Sequence, residues 1–220
     1  EKNLRSLILD YRATPPALDY ELAAEYIKRL TPKGKLLFAV RRPSAKQEQM
    51  FTSNQAPLFQ GLIVSLVSAR TAGAGEVIPA VLRTVQKALV IGEETAGEAA
   101  EFSELPLRGG KVLRVAVAEV KLPQDLTIFP GGLKPDLNVP VSQKQEERIL
   151  EAELEKGVSG FVFEKERPRL NEAALIAGTN PEIDETGPSS KRRQLLDAPL
   201  QRAVDLITTL GIFDKVEKDQ

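Results

Sequence analysis

The chain contains neither cysteine nor histidine. Without histidine there is no imidazole base and no Ser-His-Asp triad, and without cysteine there is no thiolate nucleophile. Together the two absences rule out an ordinary zinc site. Chemistry on this chain would have to run on Ser or Thr hydroxyls, Lys, carboxylates or backbone amides, and no cofactor is expected. The lack of cysteine also removes any disulfide from which a redox compartment could be read. A surplus of charge is missing too: Lys plus Arg number 30 and Asp plus Glu 31. Nothing in that balance would draw the chain onto a phosphate backbone or an anionic lipid surface, so neither nucleic acid nor membrane is expected as a partner. The longest apolar runs fall well short of the roughly 20 residues needed to cross a bilayer. The chain opens Glu1-Lys2-Asn3-Leu4 and passes straight into an apolar stretch, with no basic leader or apolar signal core, as a mature product or a fragment would.

What is present is enough for one substantial core, since 42% of the 220 residues are apolar. Residues 6–10 read as a short buried strand that stops at Ala13-Thr14-Pro15-Pro16. Leu18, Leu22, Ala23, Tyr26, Ile27 and Leu30 then repeat at helical spacing behind a candidate N-cap, Asp19. Residues 36–40 make a second apolar strand, 41–60 a polar loop or lid, and 62–67 a third strand. Val77, Ile78, Val81, Leu82 and Val85 form the stripe of a helix over about 74–86, and 89–91 a fourth strand. Short apolar strands alternating with amphipathic helices predict an α/β fold, with 7–10, 36–40, 62–67 and 89–91 as neighbouring, mainly parallel strands under helices. Over 112–120 the pattern changes to alternation, with Leu113, Val115 and Val117 on one face, predicting an antiparallel, half-buried strand. Residues 143–156 read as a helix, 164–194 as an extended excursion rich in Pro, Gly and charge, and 195–210 as a closing helix.

Five segments, in order, resemble the tail-specific (carboxyl-terminal processing) serine peptidases. LILDYRATPPA at 7–17 resembles their "LILDLRNNPGG" strand and turn, and GLIVSLVSARTAGAGEVIPAVL at 61–82 their "vLvn..TASAAEilagaL" strand and nucleophile helix. IGEETAGEAA at 91–100 is similar to "iGekTfGKG", LPLRGGKVLRVAVAEV at 105–120 to "l.dG.alklTvaky", and GGLKPDLNV at 131–139 to "kGi.PDi.V". The resemblance implies a ClpP/crotonase-like β-β-α superhelix core over 1–141 with a helical C-terminal extension over 142–220. It further implies a polypeptide partner and an extracytoplasmic, periplasmic or secreted, address. Family members carry further catalytic-domain strands and a PDZ domain upstream.

The same resemblance assigns site positions, and this sequence departs from the family at three of them. The nucleophilic serine position, at the start of the helix after the third strand, is Gly73; the lysine base position, 25 residues on, is Glu98. One oxyanion donor falls on Pro16, which has no N–H, and the other on the Ala74 amide. The resemblance therefore implies a degenerate member that holds or scaffolds polypeptide without cutting. Two alternatives stand beside it: an active peptidase with a non-standard nucleophile, and a small-molecule or acyl-ligand binder. For the former, Ser65, Ser68 and Thr71 surround the vacant position, Thr71 also reading as a helix cap. Gly73 also has a purely conformational reading, as the residue a tight strand-to-helix turn requires. Arg41, Arg42 and Arg70 could clamp a peptide carboxylate, and Thr71, Arg70 and Ser68 are the binding candidates. Glu93, Glu94, Glu98, Glu101 and Glu104 read as a solvated acidic loop rather than a metal site.

Overall fold

The structure, a computed structural model, describes residues 4–12, 14, 19–43, 48–162 and 195–218. They fall into two compact units, one of residues 1–141 with 202–220 and one of 142–201. The first unit contains two four-stranded sheets. In one, β1 (Ser6–Asp10), β4 (Leu62–Val67), β5 (Leu89–Gly92) and β8 (Leu137–Asn138) lie in that order, all parallel. In the other, β3 (Gln49–Thr52), β2 (Leu36–Arg41), β7 (Val112–Lys121) and β6 (Ala100–Pro106) lie in that order, all antiparallel.

Helix α1 (Tyr20–Lys28) begins where Asp19 accepts the Leu22 amide at 2.8 Å, the N-cap that the sequence indicates. Helix α2 (Ala74–Gln86) lays Val77, Val81 and Leu82, all fully buried, into the core with Ile27 of α1, Leu37 of β2 and Val90 of β5. Packing α2 against β2, β4 and β5 excludes water from those strands, and every fully buried aliphatic side chain contributes about 1.5–3 kcal/mol over its exposed state. In the second unit, α3 (Gln143–Lys156) precedes a 3-10 turn at Val158–Phe161. Helix α4 (Ala198–Lys218) starts behind Asp197, which accepts the Leu200 amide at 3.1 Å.

Three of the four strands expected side by side are parallel neighbours. The fourth is not: Leu36–Arg41 belongs to the antiparallel sheet, paired with β3 and β7. Leu37, Phe38, Ala39 and Val40 are all at most 5% exposed. An all-apolar run reports burial on both faces, and that condition is met in either sheet. The loop expected over 41–60 contains β3, whose Phe51 stacks on Phe38 with ring centroids 4.6 Å apart. Strand β7 is antiparallel as expected, but it is exposed from Val112 to Val117 and buried only at Ala118 and Val120. Glu101 and Glu104, read as loop, lie on β6, and the excursion at 164–194 lies outside the described residues.

Candidate active site

The turn between β4 and α2 is built from its own side chains. Thr71, fully buried, donates its hydroxyl to the Tyr11 carbonyl at 3.2 Å and accepts the Ser68 amide at 3.0 Å. Its carbonyl accepts the Ala96 amide at 3.0 Å. Thr71 thus joins three chain segments: the end of β1, the turn before α2 and the turn after β5. Ser68, also buried, accepts the Arg70 amide on its hydroxyl at 3.3 Å. Ser65 sits in the middle of β4 between Leu9 and Val90, fully buried, its hydroxyl without a hydrogen-bond partner. Each of the three hydroxyls is therefore fixed in the framework or enclosed by it. The helix cap expected at Thr71 is at Gly73 instead, two residues later.

Gly73 has φ 58° and ψ −126°. That combination is open to glycine and strained for any residue with a Cβ. The tight strand-to-helix turn thus accounts for a glycine here on conformational grounds alone. Its carbonyl begins the helix, accepting the Glu76 amide at 3.1 Å, and the Ala74 amide is left among the orphan donors of the first turn. Pro16 lies outside the described residues.

Glu76, three residues after Gly73, escapes a reading of the sequence by motif. It is fully buried, and its Oε1 accepts the Glu98 amide at 2.9 Å. Burial pushes its carboxyl above the ordinary glutamate range, partly offset by the Glu98 amide, the Thr95 hydroxyl and the amides of Gly97 and Gly73. Its Oε2 is enclosed and makes no hydrogen bond of its own. Glu76 stands at the third helical position, and its hydrogen bond reaches across to the Glu98 amide. The signal in the sequence is the single acidic residue in the apolar first turn of TAGAGEV at 71–77. One carboxylate thus connects the Gly73 turn to the Gly97–Glu98 turn.

The Glu98 side chain points away from that buried end. Arg114 of β7 grips it with two parallel hydrogen bonds, Nη1 to Oε1 at 3.1 Å and Nη2 to Oε2 at 3.2 Å. The Arg114 guanidinium also lies 3.8 Å from the centre of the Phe102 ring, which meets Phe129 edge to face. The fork holds the Glu98 carboxyl below its ordinary value, the hydrogen bonds outweighing partial desolvation. Both partners are more than a third exposed, so solvent screens the pair and it adds little to the stability of the fold. Arg114→Ala is accordingly expected to leave thermal stability nearly unchanged. In that variant the Glu98 carboxyl should return toward 4.5, followed by NMR titration of its side chain. A titration unchanged from the parent chain would show that the fork does not set it.

The other proposed contacts are already spent. Arg42 is committed to Glu101, Nε to Oε2 at 2.8 Å, and Arg41 pairs with Glu48 at 3.4 Å. Glu98 and Glu101 therefore each face an arginine, and Glu104 stands opposite Arg114 in the strand register. Among the described residues no group of three or more carboxylates converges as a metal ion would require.

A parallel sheet whose second strand runs into a glycine turn at a helix N-terminus, with a buried glutamate joining that turn to the next, makes this an α/β domain with its candidate site at the carboxyl ends of the strands. The chain belongs to peptidase family S41, whose family model matches residues 1–139. It is 25% identical over 150 residues to carboxyl-terminal-processing peptidase 1 of Arabidopsis thaliana, which is chloroplastic, covering 68% of this chain and 30% of that protein. It is 29% identical over 136 residues to the carboxyl-terminal-processing protease of Synechocystis, covering 62% and 31%. The chain thus spans about a third of the length of these curated relatives. Its fold is similar to the photosystem II D1 C-terminal processing protease, with a TM-score of 0.50 at 24% identity over 62% of this chain and 35% of that one. A Bacteroides fragilis structure assigned to the S41 proteases gives 0.52 at 21% identity, over 71% and 46%.

Proposed function

We propose that this S41 domain binds or scaffolds polypeptide and does not cleave it. The observation that carries the reading is the pairing at the two positions where the family resemblance puts the dyad. Gly73 has no hydroxyl to offer, and Glu98 offers a carboxylate locked in the Arg114 fork and held ionised. An acyl transfer needs an activated nucleophile and a base that can take its proton, and neither role is filled. The burial and hydrogen bonding of Ser65, Ser68 and Thr71 weigh against a displaced nucleophile. What the fold retains is the helix N-terminus with the Ala74 amide, and strands able to receive an extended chain. The names of the relatives support a polypeptide as the thing bound.

The direct test is a labelled fluorophosphonate, which reacts only with an activated serine. No labelling is expected, and stoichiometric labelling lost in Ser65→Ala or Ser68→Ala would move the displaced-nucleophile reading to first place. An extracytoplasmic address is part of the same proposal, supported by the chloroplastic address of one relative. Among the described residues no helix is long and apolar enough to cross a membrane. Fractionation of the native protein with a cytoplasmic marker would contradict that address.

A further inference from the structure

Strand β7 runs for ten residues, but β2 pairs only with its last three, Glu119, Val120 and Lys121. Over residues 112–118 it is held on one side alone, by β6, so the β6–β7 hairpin extends past the rest of its sheet as a two-stranded ribbon. Such a ribbon is marginal in water by itself, whereas three or more strands with an apolar face are stable. The turn fixes which backbone groups face outward. The Leu107 amide donates to the Lys111 carbonyl at 2.8 Å, and Leu105 stands opposite Leu113 and Ser103 opposite Val115. Antiparallel ladders alternate, so Leu113 and Val115 bond to β6, while the amides and carbonyls of Val112, Arg114 and Ala116 turn to the open edge. Among the described residues no strand and no loop backbone pairs with that edge.

The two edges of the ribbon differ. On β6 the outward positions are Phe102, Glu104 and Pro106, where Pro106 has no N–H to give and Glu104 sets a carboxylate beside the strand. On β7 no proline, glycine or acid stands between Val112 and Ala118. Its one charge, Arg114, is drawn into the Glu98 fork and over the Phe102 ring. A β-prone segment of low charge with a bare edge is a template for another strand. One face of the ribbon is apolar as well. Leu105, Leu107, Leu113 and Val115 alternate onto it, each between 38% and 51% exposed.

We propose that the open edge of β7 pairs with the same edge of a second copy of this chain, antiparallel about a two-fold axis at Val115. The outward groups set the register. Arg114 of each copy exchanges both backbone hydrogen bonds with Ala116 of the other, and the two Val115 side chains meet in the narrow pair between them, with Cα atoms about 4.5 Å apart. Each Arg114 faces an alanine, so no like charges are opposed, whereas a register that sets the two arginines opposite each other is disfavoured by repulsion. Two marginal ribbons become one four-stranded sheet with a continuous apolar face, a condition that neither meets alone. A second copy brings its own Leu105, Leu113 and Val115 onto that face, which an arbitrary extended peptide does not. This pairing is independent of what the domain binds.

An edge contact of this kind is small, so sedimentation velocity of the full chain should show monomer and dimer in equilibrium over about 1–100 μM. Ala116→Pro leaves the β6 ladder whole, because the Ala116 N–H faces outward, and removes two hydrogen bonds across the axis, one from each copy. It should weaken dimerisation by about tenfold or more. A second readout does not depend on that variant. The chain has no cysteine, so Val115→Cys supplies its only thiol. Under mild oxidation it should form a disulfide-linked dimer far faster than Leu105→Cys, which lies on the same face one strand away from the axis. A chain monomeric up to about 1 mM, a dimer indifferent to Ala116→Pro, or equal cross-linking of the two cysteines overturns the proposal. If the chain is monomeric and Ala116→Pro instead abolishes binding of a labelled extended peptide, the edge belongs to a bound polypeptide, and the two-fold pairing is equally overturned.

Discussion

Gly73→Ser alone is expected to yield no peptidase activity, and Gly73→Ser with Glu98→Lys to remain at least about 100-fold below an intact S41 peptidase on the same substrate. A serine at position 73 must adopt φ 58° and ψ −126°, at a cost of about 1–3 kcal/mol, and its hydroxyl would have no lysine amine to receive its proton. The added lysine would arrive beside Arg114, released from its fork. Proximity of like charge lowers an ammonium's pKa, which favours a base, but it also pushes two half-exposed cations apart. The position that sets the ceiling is Pro16, which the family resemblance aligns with an oxyanion donor and which has no N–H. Loss of one such donor typically costs about 100- to 1,000-fold in turnover. Recovery to within about tenfold of an intact enzyme in the double variant would show that the Pro16 alignment is wrong.

Glu76→Ala is expected to destabilise the domain by about 2–4 kcal/mol, because it strips the Glu98 amide of its acceptor and leaves a void in the first turn of α2. For a chain of this size that is a fall of roughly 5–15 °C in melting temperature. Glu76→Gln keeps an oxygen for the Glu98 amide and removes the ionisation, so it isolates the effect of pH. The folded carboxyl titrates above its ordinary value, 4.5. Its contribution to stability is therefore fully present below the unfolded pKa and is lost as pH rises through the folded one. The stability of the parent chain relative to Glu76→Gln should thus be greatest near pH 4 and decline as pH rises. Other carboxylates, Glu98 included, titrate in both proteins and cancel in the difference. A gap that stays flat or widens with pH would contradict the burial account of Glu76.

The elements that a sequence reports best are those whose period matches their burial. The stripe of Val77, Val81 and Leu82 gives α2 from Ala74 to Gln86, and the apolar run 62–67 gives β4 with the same bounds. Strand β2 shows the limit of that signal, because Leu37 to Val40 are buried whichever sheet receives them, and direction is decided by partners distant in sequence. Strand β6 was obscured by Glu101 and Glu104, charges that read as solvent-facing loop until β7 supplies the pairing and Arg42 the counter-ion. In the site, Gly73 and Glu98 are visible as departures from a family pattern. Glu76 is not, because one carboxylate among apolar neighbours looks like an ordinary exposed helix position until the fold buries it and the Glu98 amide closes on it. Arg114 is equally hidden, since its role depends on the hairpin that brings β7 back beside β6.

The central question is whether the untouched chain holds polypeptide without cutting it. Incubating it with a fluorescently labelled, unfolded polypeptide, reading binding by anisotropy and integrity by mass spectrometry on the same samples, measures both halves at once. The expected result is a saturable rise in anisotropy with the polypeptide intact. Cleavage that is abolished by Ser65→Ala, Ser68→Ala or Thr71→Ala, in variants shown by circular dichroism to be folded, would contradict it.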